Sequence, residues 1–398
     1  INDAEASGQE NPVFKNIYVS VDGNDNGSGE QSSPYATIAR AVAQAKLISK
    51  DMTGDIVINI SKGIYFQKST LDLSTLKGNN GYNIIFRGEG EEKPIISGGQ
   101  KVTGWQKTKG GIYKAKYKHN ANNLTAMYVN SYPAILAQTR YLYRIMDFHY
   151  DSESGEKDGI VFSARNFPEI SSVDELWVNK IYEWAHLRVK VKEVKYNNDD
   201  NTVAVILDNK DSSVNALLSE GSYIKLAQYT TVWFVNQKEF VDEPGEYWYD
   251  KEKSELYYYP YDEEDMDTAE IYVPRTEMLV NINGKDSGNI VFDNISFRYG
   301  AWDTERETSN STFQAGYRNV DNGKGYSISL RDLGQVNIED TENITIENCE
   351  FAALGSAAIN CMNGASNIKI NGNVFRDIGG SSIEAGEIDD SYVSRNIE

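Results

Sequence analysis

The stretch NIKINGNVF, residues 367–375, decides the fold because it has close relatives elsewhere in the chain. NITIENCEF occupies 343–351, and NIVFDNISF occupies 289–297. Each opens Asn-Ile and closes on a phenylalanine (Phe297, Phe351, Phe375), with apolar residues alternating between. The last two copies are 24 residues apart, and Ile359 and Ile383 keep the same spacing. Several short strands within a period of ~20–25 residues are the signature of a β-solenoid. A leucine-rich repeat of similar period needs recurrent leucine positions, which are absent. In a parallel β-helix the equivalent residues of successive turns stack. Ile346 and Ile370 are therefore expected inside, and Asn343 and Asn367 at a corner where the amides bond backbone.

The sequence has 398 residues, room for a solenoid or for several packed units. No run approaches the ~18 apolar residues of a membrane span. The start INDAEASGQENP lacks a basic segment followed by an apolar one, so any export signal is either missing or already removed. The formal net charge of −20 repels phosphate backbones and anionic membranes, which makes nucleic acid a poor partner. Two cysteines, Cys349 and Cys361, make no disulfide framework and read as buried thiols on neighbouring strands. The 26 tyrosines and 6 tryptophans fill cores by default, but their faces also stack on sugar rings.

Along the chain, NIYVSV reads as a strand, DGNDNGSGEQSSP as a turn-rich loop, and YATIARAVAQAKLIS as a helix after Pro34. Ile38, Ala41, Val42, Ala45 and Ile48 share one face of that helix, which must cover something apolar. It suits a cap over the open end of a solenoid. DIVINIS, GIYF and YNIIFRG continue as short strands. Residues 106–275 lose this rhythm and hold longer alternating runs such as LRVKVKEV and TVAVIL, as expected of an inserted antiparallel, sandwich-like β domain. The short rhythm resumes over 276–398, leaving 1–105 as the cap and first turns. The fold expected is all-β: a right-handed parallel β-helix with an N-terminal capping helix and that insertion. Asn396-Ile397 reads as the opening of another turn, so further turns are expected past residue 398.

There is no Gly-rich phosphate loop, zinc-type Cys/His spacing or nucleophile elbow. Carboxylates must therefore be sorted by position. The 24-residue register sets Glu384 over Asn360, facing outward between Ile383 and Ala385. Glu387, Asp389 and Asp390 follow, and Asp303 lies in an excursion with Trp302 and Gln314. Two carboxylates ~5–9.5 Å apart across a groove are what glycoside hydrolysis uses. Glu384, Asp303 and Glu387 are the catalytic candidates. Trp302, Gln314, Asn360, Asp389 and Asp390 are the substrate-binding candidates. Each also reads as a solvated turn residue of an acidic chain. Asp22, Asn24 and Asp25 offer oxygen ligands for Ca2+, or form a plain turn whose side chains bond backbone. No cofactor is required.

Several blocks resemble glycoside hydrolase family 141, whose members include α-L-fucosidases and xylanases of plant cell-wall glycans. They are YVSVDGNDNGSGEQSSPYATIARAVAQA, KPIISGGQKVTGW, MYVNSYPAILAQTR, DEPGEYWYDKEKSELYYYP, MLVNINGKDSGNIVFDNISFRYGAW and FQAG. The resemblance runs from about residue 17 to the end. It implies a right-handed parallel β-helix, a polysaccharide or oligosaccharide partner and a secreted, periplasmic or cell-surface bacterial protein. The family's catalytic carboxylates are expected in turns beyond FRDIGGSSIEAGEIDD, so no catalytic pair is carried onto positions here. A polysaccharide lyase, abstracting a proton from a uronate, and a non-catalytic glycan-binding or adhesion protein are the alternatives.

Overall fold

The computed structural model describes residues 11–119, 124, 126–181, 185–208, 214, 217–218, 231–302, 310–312, 317–321, 327–331, 334–386 and 395–397. The chain divides into two compact units, one of residues 1–100, 274–301 and 333–398, the other of 101–273 and 302–332. Strand is the dominant element in both.

The first unit contains three sheets in which every pairing between the strands named here is parallel. The chain visits them in rotation. Asp55–Ile60 lies in the first sheet, Ile64–Phe66 in the second and Leu71–Asp72 in the third; Ile84–Gly88 and Ile95–Ser97 then return to the first and second. The circuit resumes with Val280–Asn283, Gly288–Asp293 and Ser296–Arg298, and again with Val336–Glu339, Glu342–Glu347 and Glu350–Leu354. Ile359–Met362, Ser366–Asn371, Val374–Ile378 and Ile383–Ala385 complete it. Residues 101–273 and 302–332 both interrupt the same step, from the second sheet to the third.

The repeated stretch stacks on itself. Phe292, Ile346 and Ile370 are register partners on adjacent strands, and Ile346 is fully buried. Phe297, Phe351 and Phe375 stack at 4.9 and 5.0 Å with their planes 11° and 10° apart. At the corner, Asn343 Nδ2 donates to Asn289 Oδ1 (2.9 Å) and Asn367 Nδ2 donates to Asn343 Oδ1 (3.0 Å). All three asparagines hold φ between 52° and 59°, the left-handed region that asparagine tolerates better than other side chains. The opening Asn of each repeat thus turns the chain and ties one turn to the next.

The helix spans Ile38–Ile48, three residues shorter at its start than the sequence suggests. Thr37 is extended and caps it, its Oγ1 accepting from Arg40 N. Ile38, Ala41, Val42 and Ala45 are buried in one core cluster with Ile17, Ile58 and Leu73, while Ile48 is half-buried against it. Cys349 and Cys361 are buried free thiols, both pushed up to about 12 by burial.

The second unit is built on antiparallel pairing. Trp177–Ile181, Ala185–Asn197, Thr202–Leu207 and Lys157–Ser163 are successive neighbours in one sheet. Leu187, Val189 and Val191 point into its core, joined by Phe162 and Phe234. Asn310–Thr312 pairs with Ala185–Leu187, which brings part of the late excursion into this unit.

Candidate functional site

The third sheet of the first unit carries the outward residues of interest. Its strands run in the order Leu71–Asp72, Val280–Asn283, Val336–Glu339, Ile359–Met362 and Ile383–Ala385. Val280, Ile282, Val336, Ile338, Ile359 and Cys361 are fully buried, so strand alternation turns the residues between them to the other face. Register then aligns Asp72, Asn281, Asn337, Asn360 and Glu384 in one column across five strands. Asn283, Glu339 and Met362 align beside it.

Hydrogen bonds hold the column. Ser74 donates to Asp72 Oδ1 through its hydroxyl (2.6 Å) and its backbone N (3.0 Å). The Ser74 hydroxyl chiefly, helped by Asn281 and the Lys46 charge, holds the Asp72 carboxyl below its usual range. Asn281 Nδ2 donates to Ser74 Oγ at 3.2 Å. Asn337 Nδ2 donates to Asn281 Oδ1 (3.2 Å) and Glu339 Oε1 (3.1 Å), and Asn283 Nδ2 donates to Glu339 Oε2 (3.0 Å). Both Glu339 oxygens are therefore oriented.

Burial changes along the column. Asn337 is 2% exposed and Asn360 is fully buried, while Asn281 and Glu384 are half-buried. Gly334 packs on Asn360 so closely that a Cβ there would lie 2.7 Å from Asn360 N. Gln335 folds its side chain over Gly300, donating through Nε2 to Ala301 O at 2.9 Å. A Cβ at Gly300 would lie 1.8 Å from Gln335 Oε1, so a larger residue there would have to displace the Gln335 side chain. Among the described residues, Asn337 Oδ1 and Gln335 Oε1 are buried acceptors without a donor. A hydroxyl donor is what such oxygens lack.

The described carboxylates of this face are Asp72, Glu339 and Glu384. Four strand spacings of ~4.8 Å put Asp72 about 19 Å from Glu384, too far for a working pair. Two spacings and two residues of ~3.3 Å leave the Glu339 and Glu384 backbones roughly 12 Å apart, and Glu339 directs its carboxylate to Asn283 on the strand farther from Glu384, so a working pair requires it to leave that bond.

The sequence-derived candidates divide accordingly. Asn360 and Glu384 are register partners as expected. Trp302 is half-buried and belongs to the second unit. Asp303, Gln314, Glu387, Asp389 and Asp390 lie outside the described residues. In the N-terminal loop, Asp25 Oδ1 accepts from Ala36 N and Thr37 N (both 2.9 Å), and Oδ2 accepts from Thr37 Oγ1 (2.8 Å). Asn24 Oδ1 accepts from Asn26 N, and Asp22 N donates to Ser20 Oγ. Asp25 thus serves the start of the helix. Among the described residues no group of three His, Cys, Asp or Glu gathers as a metal site.

Glu339, Asn281 and Asn337 were missed by sequence reasoning. The signal was the repeated Val-Asn-Ile of 280–282 and 336–338, hidden because its spacing is interrupted by a long excursion. In the second unit, burial raises Glu246 to about 7 against the backbone N–H groups of Asp242 and Gln138. Burial, with the Arg188 charge, lowers His186 to about 4; burial lowers Lys180 to about 8. These shifts come first from loss of solvent, and buried structural groups show them as readily as catalytic ones.

Residues 114–261 match the model of the GH141 insertion domain. A solved structure titled "Glycoside hydrolase" superposes with a TM-score of 0.78 at 21% identity, over 94% of this chain and 68% of that one. A complex of XylC with xylose aligns over 90% of this chain and 53% of that chain, with a TM-score of 0.40 and 11% identity, too weak to argue from. No curated protein matches. The chain thus contains a segment similar to a GH141 insertion domain, within an all-β fold similar to that of a solved glycoside hydrolase.

Proposed function

We propose that this chain is a glycoside hydrolase of the GH141 type, acting on a neutral plant cell-wall or similar polysaccharide outside the cell. On this reading the three parallel sheets wind as a right-handed β-helix, the usual hand of parallel crossovers. The observation that carries the proposal is the outward column of the third sheet, amides followed by Glu384. The exposed Asp72 and the half-buried Asn281 and Glu384 are the members of the column open to a polymer, and they are fixed by strands rather than by loops, with the buried Asn337 orienting Asn281 and Glu339. The match of 114–261 to the GH141 insertion domain supports the same class. The net charge of −20 disfavours an anionic uronate polymer.

Glu384 is the candidate catalytic carboxylate. One carboxyl group delivers a proton to the leaving glycosidic oxygen. The other acts at the anomeric carbon, directly or through a water, and water supplies the hydroxyl of the new reducing end. Glu339 is the described candidate for the second role; Asp303 and Glu387 are the others. The chemistry proposed uses no metal, and Asp25 serves the start of the helix rather than a Ca2+ site.

The test is product analysis with arabinoxylan, xyloglucan and polygalacturonate. New reducing ends from a neutral polymer, without unsaturated uronate products, are expected. Unsaturated ends from polygalacturonate would make the protein a lyase, and retention of glycan without turnover would make it a binding protein.

A further inference from the structure

The second unit contains a cavity of about 1190 Å3 far along the sequence from the column described above. Its floor is aromatic. Phe162 is 1% exposed, and Phe167 packs on it with ring centroids 5.4 Å apart. Tyr143 contacts Phe167 at 5.8 Å, and Phe234 joins both at 5.3–5.7 Å. Sequence position 141 adds a further lining tyrosine, and Tyr141 is 67% exposed. Arg144 and Asn166 bring polar groups to the same lining, and both are exposed.

We infer that this cavity is an accessory glycan-binding site, taking a neutral oligosaccharide segment of the polymer. The inference rests on the glycoside-hydrolase reading for the identity of the ligand. Three observations select a sugar. The exposed Tyr141 ring and the half-buried Tyr143 and Phe167 rings, beside the amide of Asn166 and the guanidinium of Arg144, suit a pyranose, which has an apolar face and a hydroxylated edge. A purely apolar ligand would make no use of the exposed Asn166 amide in the lining. The volume exceeds the need of one monosaccharide and suits consecutive residues of a chain. Finally, every lining residue falls within 114–261, the segment that matches the GH141 insertion domain.

Binding at a second site raises the polymer's residence on the protein through effective concentration, without touching the bond that breaks. The experiment is native affinity electrophoresis through gels containing arabinoxylan or xyloglucan. It compares the intact protein, a Tyr141→Ala/Asn166→Ala variant, and Glu384→Gln. Both substituted positions are exposed, so the double variant is expected to melt as the parent does. Retardation of the parent and Glu384→Gln, with affinity at least about tenfold weaker (~1.4 kcal/mol) in the double variant, is the expected result. Undiminished retardation of the double variant overturns the inference. A parent that hydrolyses the polymer but is not retarded also overturns it, leaving the hydrolase reading intact. A parent that neither binds nor cleaves any tested glycan overturns both. A change from dimer to monomer in the double variant, without loss of retardation, would assign the rings to self-association and overturn it as well.

Discussion

Asn343 does two jobs that one residue type rarely combines. It holds a left-handed backbone at φ 59°, and its amide links Asn289 to Asn367 across adjacent turns. Glycine can keep the backbone and lose the links; alanine loses both. Each amide link contributes about 1 kcal/mol net, and a left-handed alanine costs about 1–2 kcal/mol more. Denaturant unfolding should therefore rank the parent above Asn343→Gly, and Asn343→Gly above Asn343→Ala by roughly 1 kcal/mol. Equal losses in the two variants would show that backbone strain plays no part. The spacing of the repeated Asn-Ile pairs made this ladder legible in the sequence. Glu384 was legible by the same register, because one neighbouring strand lies 24 residues away. Glu339 was not: its partner on one side is Met362, which carries no polar group to match, and on the other Asn283, on the far side of an excursion.

Among the elements, the helix Ile38–Ile48 was readable from its apolar face, but its anchor was not. Asp25 reaches forward 11 and 12 residues to bond Ala36 and Thr37, and Thr37 in turn caps the helix. Nothing local in DGNDNGSG separates that use from a cation loop, because both need a carboxylate in a Gly-rich turn. Arg40 adds a second tie, donating from Nε to Asp25 O while its guanidinium lies 4.4 Å from the Tyr35 ring. Asp25→Ala leaves Thr37 and two backbone donors without their acceptor and is expected to destabilise by about 1–3 kcal/mol. Ca2+ at millimolar concentration should leave the melting temperature of the parent unchanged. A calcium-dependent rise that Asp25→Ala abolishes would make the loop a metal site instead.

For the molecule as a whole, the short repeated strands pair in parallel, and the stretch with longer alternating runs holds antiparallel pairs such as Trp177–Ile181 with Ala185–Asn197. The second excursion was harder to see. Among the described residues, the pairing of Asn310–Thr312 with Ala185–Leu187 places it with the antiparallel unit, and such a contact between strands over a hundred residues apart leaves no periodic trace. Both excursions leave the circuit between the second and third sheets, the step just before the column that ends on Glu384. The chemistry assigned to that column stands or falls on one carboxylate. The direct measurement is the rate of reducing-end release from the polymer that the parent cleaves, compared between the parent and Glu384→Gln at equal folded concentration. Loss of an acid, base or nucleophile costs roughly a hundredfold or more, so turnover should fall at least that far with the melting temperature little changed. Turnover equal to that of the parent would contradict the assignment of Glu384 and move the chemistry to another set of carboxylates.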